Sequence, residues 1–395
     1  MPILLEEDLQ RPLPRMYRVR QQFDETRLED VAGTVRAELA KPEIRALVKP
    51  GMRIAVGVGS RGIQNLYTIV ETTVNSLKEL GAEPFIVSAM GSHGGGTEEG
   101  QREVLAGYGI TEERLGVPVV TTVDTVYLGN CANGRPVWFD RAAYEADLIV
   151  PINRVKLHTD FVGPIQSGLC KMLVIGLGNH KGCSAVHEEA PEVFAGAIEE
   201  TARLILQKAP VGFGIAILEN AYDKTYAVEA VPAEHLVERE KELVQIAKGN
   251  MPYIMLDEAD VIVCGAIGKD ISGAGFDPNI LGRSSVLKQF VLHIPRYQRL
   301  VLCDVTPASH GNGIGVGLFD VITKKVAEQL DLESMYANAI ACNCLGDASV
   351  PCTVDDEETA IRVALKCCRN IDRDHPRIIR IQNTLHLGEI EVSEA

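Results

Sequence analysis

Between residues 53 and 89 the hydrophobic pattern changes period twice, and few folds accommodate that. Residues 53–58 form a short apolar run. Residues 63–80 put Leu66, Ile69, Val70, Val74 and Leu77 on one helical face, and residues 84–89 form a second apolar run. Strand, helix, strand in that order is a βαβ unit, which predicts parallel strands with helices on the sheet faces. The alternation continues with strands at 147–152 and 213–218, separated by an amphipathic helix over 191–206. A strongly charged helix, 234–248, runs into Gly249-Asn250-Met251-Pro252, a stop signal and domain boundary. A second set of units follows: strand 259–266, helix 285–290, strand 299–303, and helices 320–330 and 355–368. The alternating tail 377–392 is expected to return to the first domain. The fold class read from this is α/β, with two α/β domains and mainly parallel sheets. Residues 1–252, joined by the tail 377–395, form the first domain, and residues 253–376 the second.

With 395 residues, each domain is large enough to bury its own core. A hydrophobic content of 46% and a charged content of 24% are those of a globular enzyme-like chain. The net charge of −15 argues against a nucleic-acid partner, which requires a basic face. No apolar stretch approaches the ~20 residues of a membrane span, and residues 1–20 are too charged for a signal peptide. Ten cysteines are scattered without a disulfide framework, so the expectation is reduced thiols in a cytoplasm. Cys342-Asn343-Cys344 with Cys352 matches no common metal-ligand spacing and reads as packing.

Gly57-Val58-Gly59-Ser60-Arg61-Gly62 follows the first strand and opens the first helix, so it satisfies G-x-G-x-x-G. A dinucleotide site also requires an acid at the end of the next strand, for the ribose. That strand ends Ser88-Ala89-Met90-Gly91-Ser92-His93, without a carboxylate. What survives is a backbone suited to an anion at Ser60, with Arg61 suited to a carboxylate or phosphate, or simply a tight turn.

Four further residues stand beside glycine or at the end of an apolar run, where side chains are presented rather than packed. They are His93 in Gly91-Ser92-His93-Gly94, His158 after strand 147–152, Lys171 in Ser167-Gly168-Leu169-Cys170-Lys171, and His187 after Gly182. Three imidazoles and an amine suit acid/base chemistry beside a metal or covalent cofactor. Taken singly, each reads more simply as a polar residue with a private structural reason. Carboxyl ends of strands in an open α/β sheet would gather Arg61, His93 and His158.

At these residues the chain resembles the nickel-pincer-nucleotide lactate racemase family of 2-hydroxy acid racemases and epimerases. The likeness consists of Ser60-Arg61, Gly91-Ser92-His93 before Thr97-Glu98-Glu99, Ser167-Gly168-Leu169-Cys170-Lys171, and His187 after it. It continues with Asp277-Pro278-Asn279 and the terminal Asn383-Thr384-Leu385-His386-Leu387. The resemblance implies two α/β domains with the active site in the cleft between them. It implies a pyridinium-derived nickel-pincer nucleotide bonded to Lys171 through a thioamide, with Ser60 and Gly168 near the cofactor. His187 would be the protein ligand to nickel, with His180 the rival, and His93 and His158 the opposed general bases. Arg61 would hold the substrate carboxylate. A 2-hydroxy acid has an unactivated α-hydrogen, so inversion calls for hydride transfer coupled to proton transfer. The implied partners are a small 2-hydroxy acid and the proteins that make and load the cofactor.

The chain departs from the family pattern at several points. Ile175-Gly176 replaces a Pro-Gly step, His158 lies three residues further from the lysine, and Val58 replaces an acid. Leu281-Gly282-Arg283-Ser284-Ser285 stands where the lactate enzymes carry Tyr-Gln and a lysine, which makes lactate itself a doubtful substrate; Arg283 and Lys288 are candidate replacement cations. The alternatives are an NAD-dependent oxidoreductase using the glycine loop, and a non-catalytic cofactor-binding protein of the same fold.

Overall fold

The computed structural model describes residues 3–59 and 62–395. They form two compact units, residues 24–251 and residues 1–23 with 252–395. Each is an α/β unit built on one main sheet.

In residues 24–251 the sheet runs Val119–Val120, Glu83–Ser88, Arg53–Val58, Leu148–Arg154, Phe213–Glu219, Thr225–Pro232. The first five strands are parallel and the last is antiparallel to its neighbour. Arg53–Val58 and Glu83–Ser88 are buried at every position but the first, as strands covered on both faces require. Helix Leu66–Glu79 between them buries Leu66, Ile69, Val70, Val74 and Leu77, the stripe that its period dictates. Helices Pro191–Lys208 and Leu236–Asn250 complete this unit. A two-stranded ribbon, Thr125–Asn130 and Pro136–Asp140, stands apart from the main sheet.

In the other unit five parallel strands run Ile378–Ile381, Val261–Cys264, Arg299–Leu302, Val321–Thr323, Cys352–Val354, and Glu389–Ser393 and Met16–Arg20 extend the first edge antiparallel. This corrects the expectation that the tail 377–395 joins the first domain. Val261–Cys264 is buried at all four positions and needs a partner on both sides, and Ile378–Ile381 fills one. Asp260, 2% exposed, fixes the register by accepting the Arg377 N–H at 2.8 Å and its guanidinium at 3.0 Å. Residues 1–23 likewise sort with this unit, through Met16–Arg20, rather than with 24–251.

Two expected helices differ. Residues 285–290 are not helical, because the Ser284 hydroxyl takes the N–H groups of Val286 and Leu287, a local turn that competes with helix. Residues 320–330 begin as strand Val321–Thr323 and become helix only at Lys324–Gln329, where Thr323 caps the first turn.

Candidate active site

The order of the larger sheet locates its crevice. From Arg53–Val58 the chain builds outward through Glu83–Ser88 and Val119–Val120, then resumes on the opposite side at Leu148–Arg154. Such a reversal separates the loops at the carboxyl ends of the two central strands, where open α/β sheets bind ligands. His93 follows Glu83–Ser88 and His158 follows Leu148–Arg154, so both belong to loops at that edge.

Beyond Arg154 the chain closes a small loop. Lys156 and Ser167 exchange backbone hydrogen bonds of 2.8 and 3.1 Å, and Gln166 Oε1 accepts the His158 N–H at 2.8 Å. Within this loop His158 Nδ1 accepts the Asp160 N–H at 3.1 Å, and the ring stacks on Phe161 with centroids 4.3 Å apart. His158 Nε2 points at Lys171 Nζ, 2.5 Å away. Lys171 ends the short helix Leu169–Lys171, which widens at once into a π-helical turn, Met172–Gly176, closed by Leu177 N–H to Met172 C=O at 2.8 Å. Single π turns inside helices recur at functional sites.

The ring contacts continue from Phe161 to Phe194 at 4.8 Å and from Phe194 to His187 at 5.1 Å. His187 ends helix Asn179–His187, and its Nδ1 bonds to the Cys183 carbonyl at 2.7 Å. One turn earlier on the same face, the Cys183 sulfur lies 3.5 Å from His187 Nδ1 and 3.9 Å from Ser92 Oγ. Burial pushes the Cys183 thiol up, but His187 and Ser92 outweigh it and bring it below the ordinary thiol value. The Cys183 hydrogen bond raises His187 against the opposing effect of burial. The loop bearing His93 is clamped to the same segment, because Gly91 donates to the Gly176 carbonyl at 3.0 Å and accepts from Gln101 at 3.1 Å. Gly91 has φ +59°, and a Cβ there would sit 2.9 Å from the Ile175 carbonyl, so only glycine fits.

The structure therefore brings His158, Lys171, His187 and the His93 loop into one region. Residues 11–195 match the lactate racemase N-terminal domain family. His93, His158, Lys171 and His187 all fall inside that match. The apoprotein of lactate racemase from Thermoanaerobacterium thermosaccharolyticum is similar in fold, with a TM-score of 0.53 and 13% identity over 93% of this chain and 94% of that one. A Thermotoga maritima structural-genomics structure is similar over 69% of this chain and 70% of that one, with 14% identity and a TM-score of 0.49. No curated protein matches the chain.

Inside the segment that matches the lactate racemase N-terminal domain, Ser60 and Arg61 lie outside the described residues. The helix after the glycine loop begins at Leu66, four residues past Gly62. Gly62 therefore does not open it, which a pyrophosphate on a helix N-terminus requires. His180 is exposed, with Nδ1 3.4 Å from Ser184 Oγ. Beyond the match, Thr384 Oγ1 accepts the Asp277 N–H at 2.9 Å, joining two segments of the resemblance. Arg283 is committed within its own unit: it pairs with Asp320 at 2.7 Å and donates to the Leu318 carbonyl at 2.8 Å.

Two buried acids belong to the site's frame, and the sequence reading missed both. Glu240 is 0% exposed; its Oε2 accepts the Cys170 N–H at 2.9 Å at the start of the Lys171 helix, and burial pushes its carboxyl up to about 7. A signal for it existed. Residue 240 falls on the buried stripe Leu236, Val237, Leu243, Val244, Ala247, but in a helix so charged that one more glutamate draws no notice. Asp140, also 0% exposed, accepts from Asn179 at 2.9 Å at the start of the His187 helix, and burial pushes it up to about 6. Gly168 admits the Glu240 carboxylate: a Cβ there would lie 2.6 to 2.8 Å from three of its atoms. Gly168→Ala is expected to cost about 1–3 kcal/mol, as overpacking does. Urea unfolding measures it, and an unchanged midpoint would contradict the fit.

Proposed function

We propose that this chain is a racemase or epimerase of a 2-hydroxy acid, working through a nickel-pincer nucleotide tethered to Lys171. The supporting observation is the convergence of His158, Lys171, His187 and the His93 loop at a sheet edge, within a match to the lactate racemase N-terminal domain.

The residues present suit such a group. With His187 Nδ1 donating to the Cys183 carbonyl, Nε2 is left as the coordinating nitrogen, the arrangement typical of metal-bound imidazoles. Among the described residues no group of three or more His, Cys, Asp or Glu could hold a metal alone. One imidazole from the protein, with the remaining donors from the nucleotide, would hold the nickel. Lys171 offers the amine for the covalent link. When bound, the group supplies a hydride acceptor. Arg61 holds the substrate carboxylate and fixes the reacting carbon, a contact of about 1.5–3 kcal/mol. His93 takes the hydroxyl proton of one enantiomer and His158 that of the other, because the hydroxyl points to opposite sides in the two forms. With Tyr-Gln and the lysine replaced and Arg283 paired to Asp320, the substrate is expected to differ from lactate in its tail. Proteins that make and load the nucleotide are the implied partners.

An intact-mass spectrum of protein made together with the loading proteins tests the reading. An adduct on Lys171 with stoichiometric nickel is expected, and Lys171→Ala should lack the adduct. His187→Ala should keep the adduct but lose nickel. Nickel lost from His180→Ala instead would move the ligand to His180, and neither adduct nor nickel would overturn the proposal. Chiral chromatography over a panel of 2-hydroxy acids identifies the substrate, and lactate turning over fastest would refute the altered pocket.

A further inference from the structure

The contact between His158 and Lys171 has a direction that donors and acceptors fix. His158 Nδ1 accepts the Asp160 backbone N–H at 3.1 Å, so in the neutral ring the proton resides on Nε2. The Asp160 carboxylate is no rival for Nδ1, since its nearest oxygen is 3.9 Å away, beyond hydrogen-bond range. Nε2 in turn lies 2.5 Å from Lys171 Nζ. An ammonium carries three donors and no acceptor, so a charged Lys171 would turn N–H against N–H. The contact is a hydrogen bond when the lysine is the neutral amine and accepts the Nε2 proton. Leu169, Cys170, Met172 and Leu173 are buried on either side of the lysine. Among the described residues, titratable groups near Lys171 include Cys183 and His187 on the following helix and Glu240 at the start of its own.

We propose that His158 holds Lys171 as a neutral, nucleophilic amine that bonds covalently to carbonyl electrophiles before any cofactor is attached. The inference deepens the reading of Lys171 as a tether and rests on that reading only for the natural electrophile. His158 thereby gains a role that precedes turnover, preparing the attachment point. In the reaction the Nζ lone pair attacks the carbonyl carbon, both amine protons pass to the carbonyl oxygen, water leaves, and an imine remains.

The test uses the full chain, purified without nickel or loading proteins, and pulses of formaldehyde with cyanoborohydride between pH 6 and 10. The reductant delivers hydride to the imine and fixes it as an alkylamine, and peptide mapping reads each lysine. Lys208, exposed at the end of helix Pro191–Lys208, is the internal reference. At pH 7 Lys171 should label about tenfold faster than Lys208 or more, each pH unit in an amine's midpoint being about tenfold in neutral fraction. His158→Gln should bring Lys171 to the Lys208 profile and leave Lys208 unchanged. Lys171 following Lys208 in the unaltered protein, or failing to label, would overturn the proposal, and this holds even if the variant does not fold. A lowered Lys171 profile without nickel or racemisation would keep this inference and remove the racemase reading; the reverse result would remove this inference alone.

Discussion

Alanine at His93 or at His158 is expected to lower racemisation by about 10²- to 10⁴-fold in both directions, the usual contribution of a positioned general acid or base. On the proposed mechanism, losing either imidazole blocks both directions, because the equilibrium constant between enantiomers is unity and each residue would serve one face. The two losses should not add in the double variant, since one broken half-reaction already stops inversion. Rates from each pure enantiomer, followed by chiral chromatography, give the effect. The mass of the Lys171 adduct in each variant separates lost chemistry from lost loading. Near-normal turnover in either single variant, with the adduct in place, would remove that residue from the mechanism.

Stability should fall as pH rises from about 4.5 to about 7, and Glu240→Gln should remove a large part of that fall. Burial raises the Glu240 carboxyl from 4.5 to about 7, so the folded protein keeps a proton that the unfolded chain releases in this window. The folded state binds more protons there, and stability declines with pH until the folded group ionises. The decline is about 3 kcal/mol, at 1.36 kcal/mol per pH unit. Asp140, raised from 3.8 to about 6, adds a decline of the same sign, so the variant should retain a slope below about pH 6. Urea unfolding at pH 5 and pH 8 should show Glu240→Gln gaining on the unaltered protein at the higher pH. An equal difference at both pH values would mean that Glu240 is ionised throughout.

What the sequence disclosed depended on how many residues share one reason. Strand Arg53–Val58 and helix Leu66–Glu79 were legible because every apolar residue in them faces a core, which makes the period strong. The strand Val321–Thr323 was absorbed into a helix because three buried residues are too few to show a period before the helical segment starts. The ribbon Thr125–Asn130 with Pro136–Asp140 carried its own sign, Asn133-Gly134 at the turn, where Gly134 adopts φ +87°. The signal is local, and the first flanking strand, Thr125–Asn130, has no buried position to give it a face. At the site, the glycine-flanked residues marked their own loops. The Cys183 contact with Ser92, Glu240 and the Phe161–Phe194 link did not, since their parts come from contacts between segments far apart in sequence.

Strand Met16–Arg20 finds its neighbour, Glu389–Ser393, at the opposite end of the sequence, whereas residues 24–251 form their unit from one uninterrupted stretch. A ribosome adds roughly 5–20 residues per second, and domains generally fold as their chain emerges. The uninterrupted unit, with its whole set of candidate residues, can be complete while its companion is still being made. The opening strand, by contrast, waits tens of seconds with an unsatisfied edge, exposed to any other strand that reaches it first. Translation past residue 393 is thus the event that retires a sticky edge, and stalling or premature termination leaves it open to association with a second nascent chain.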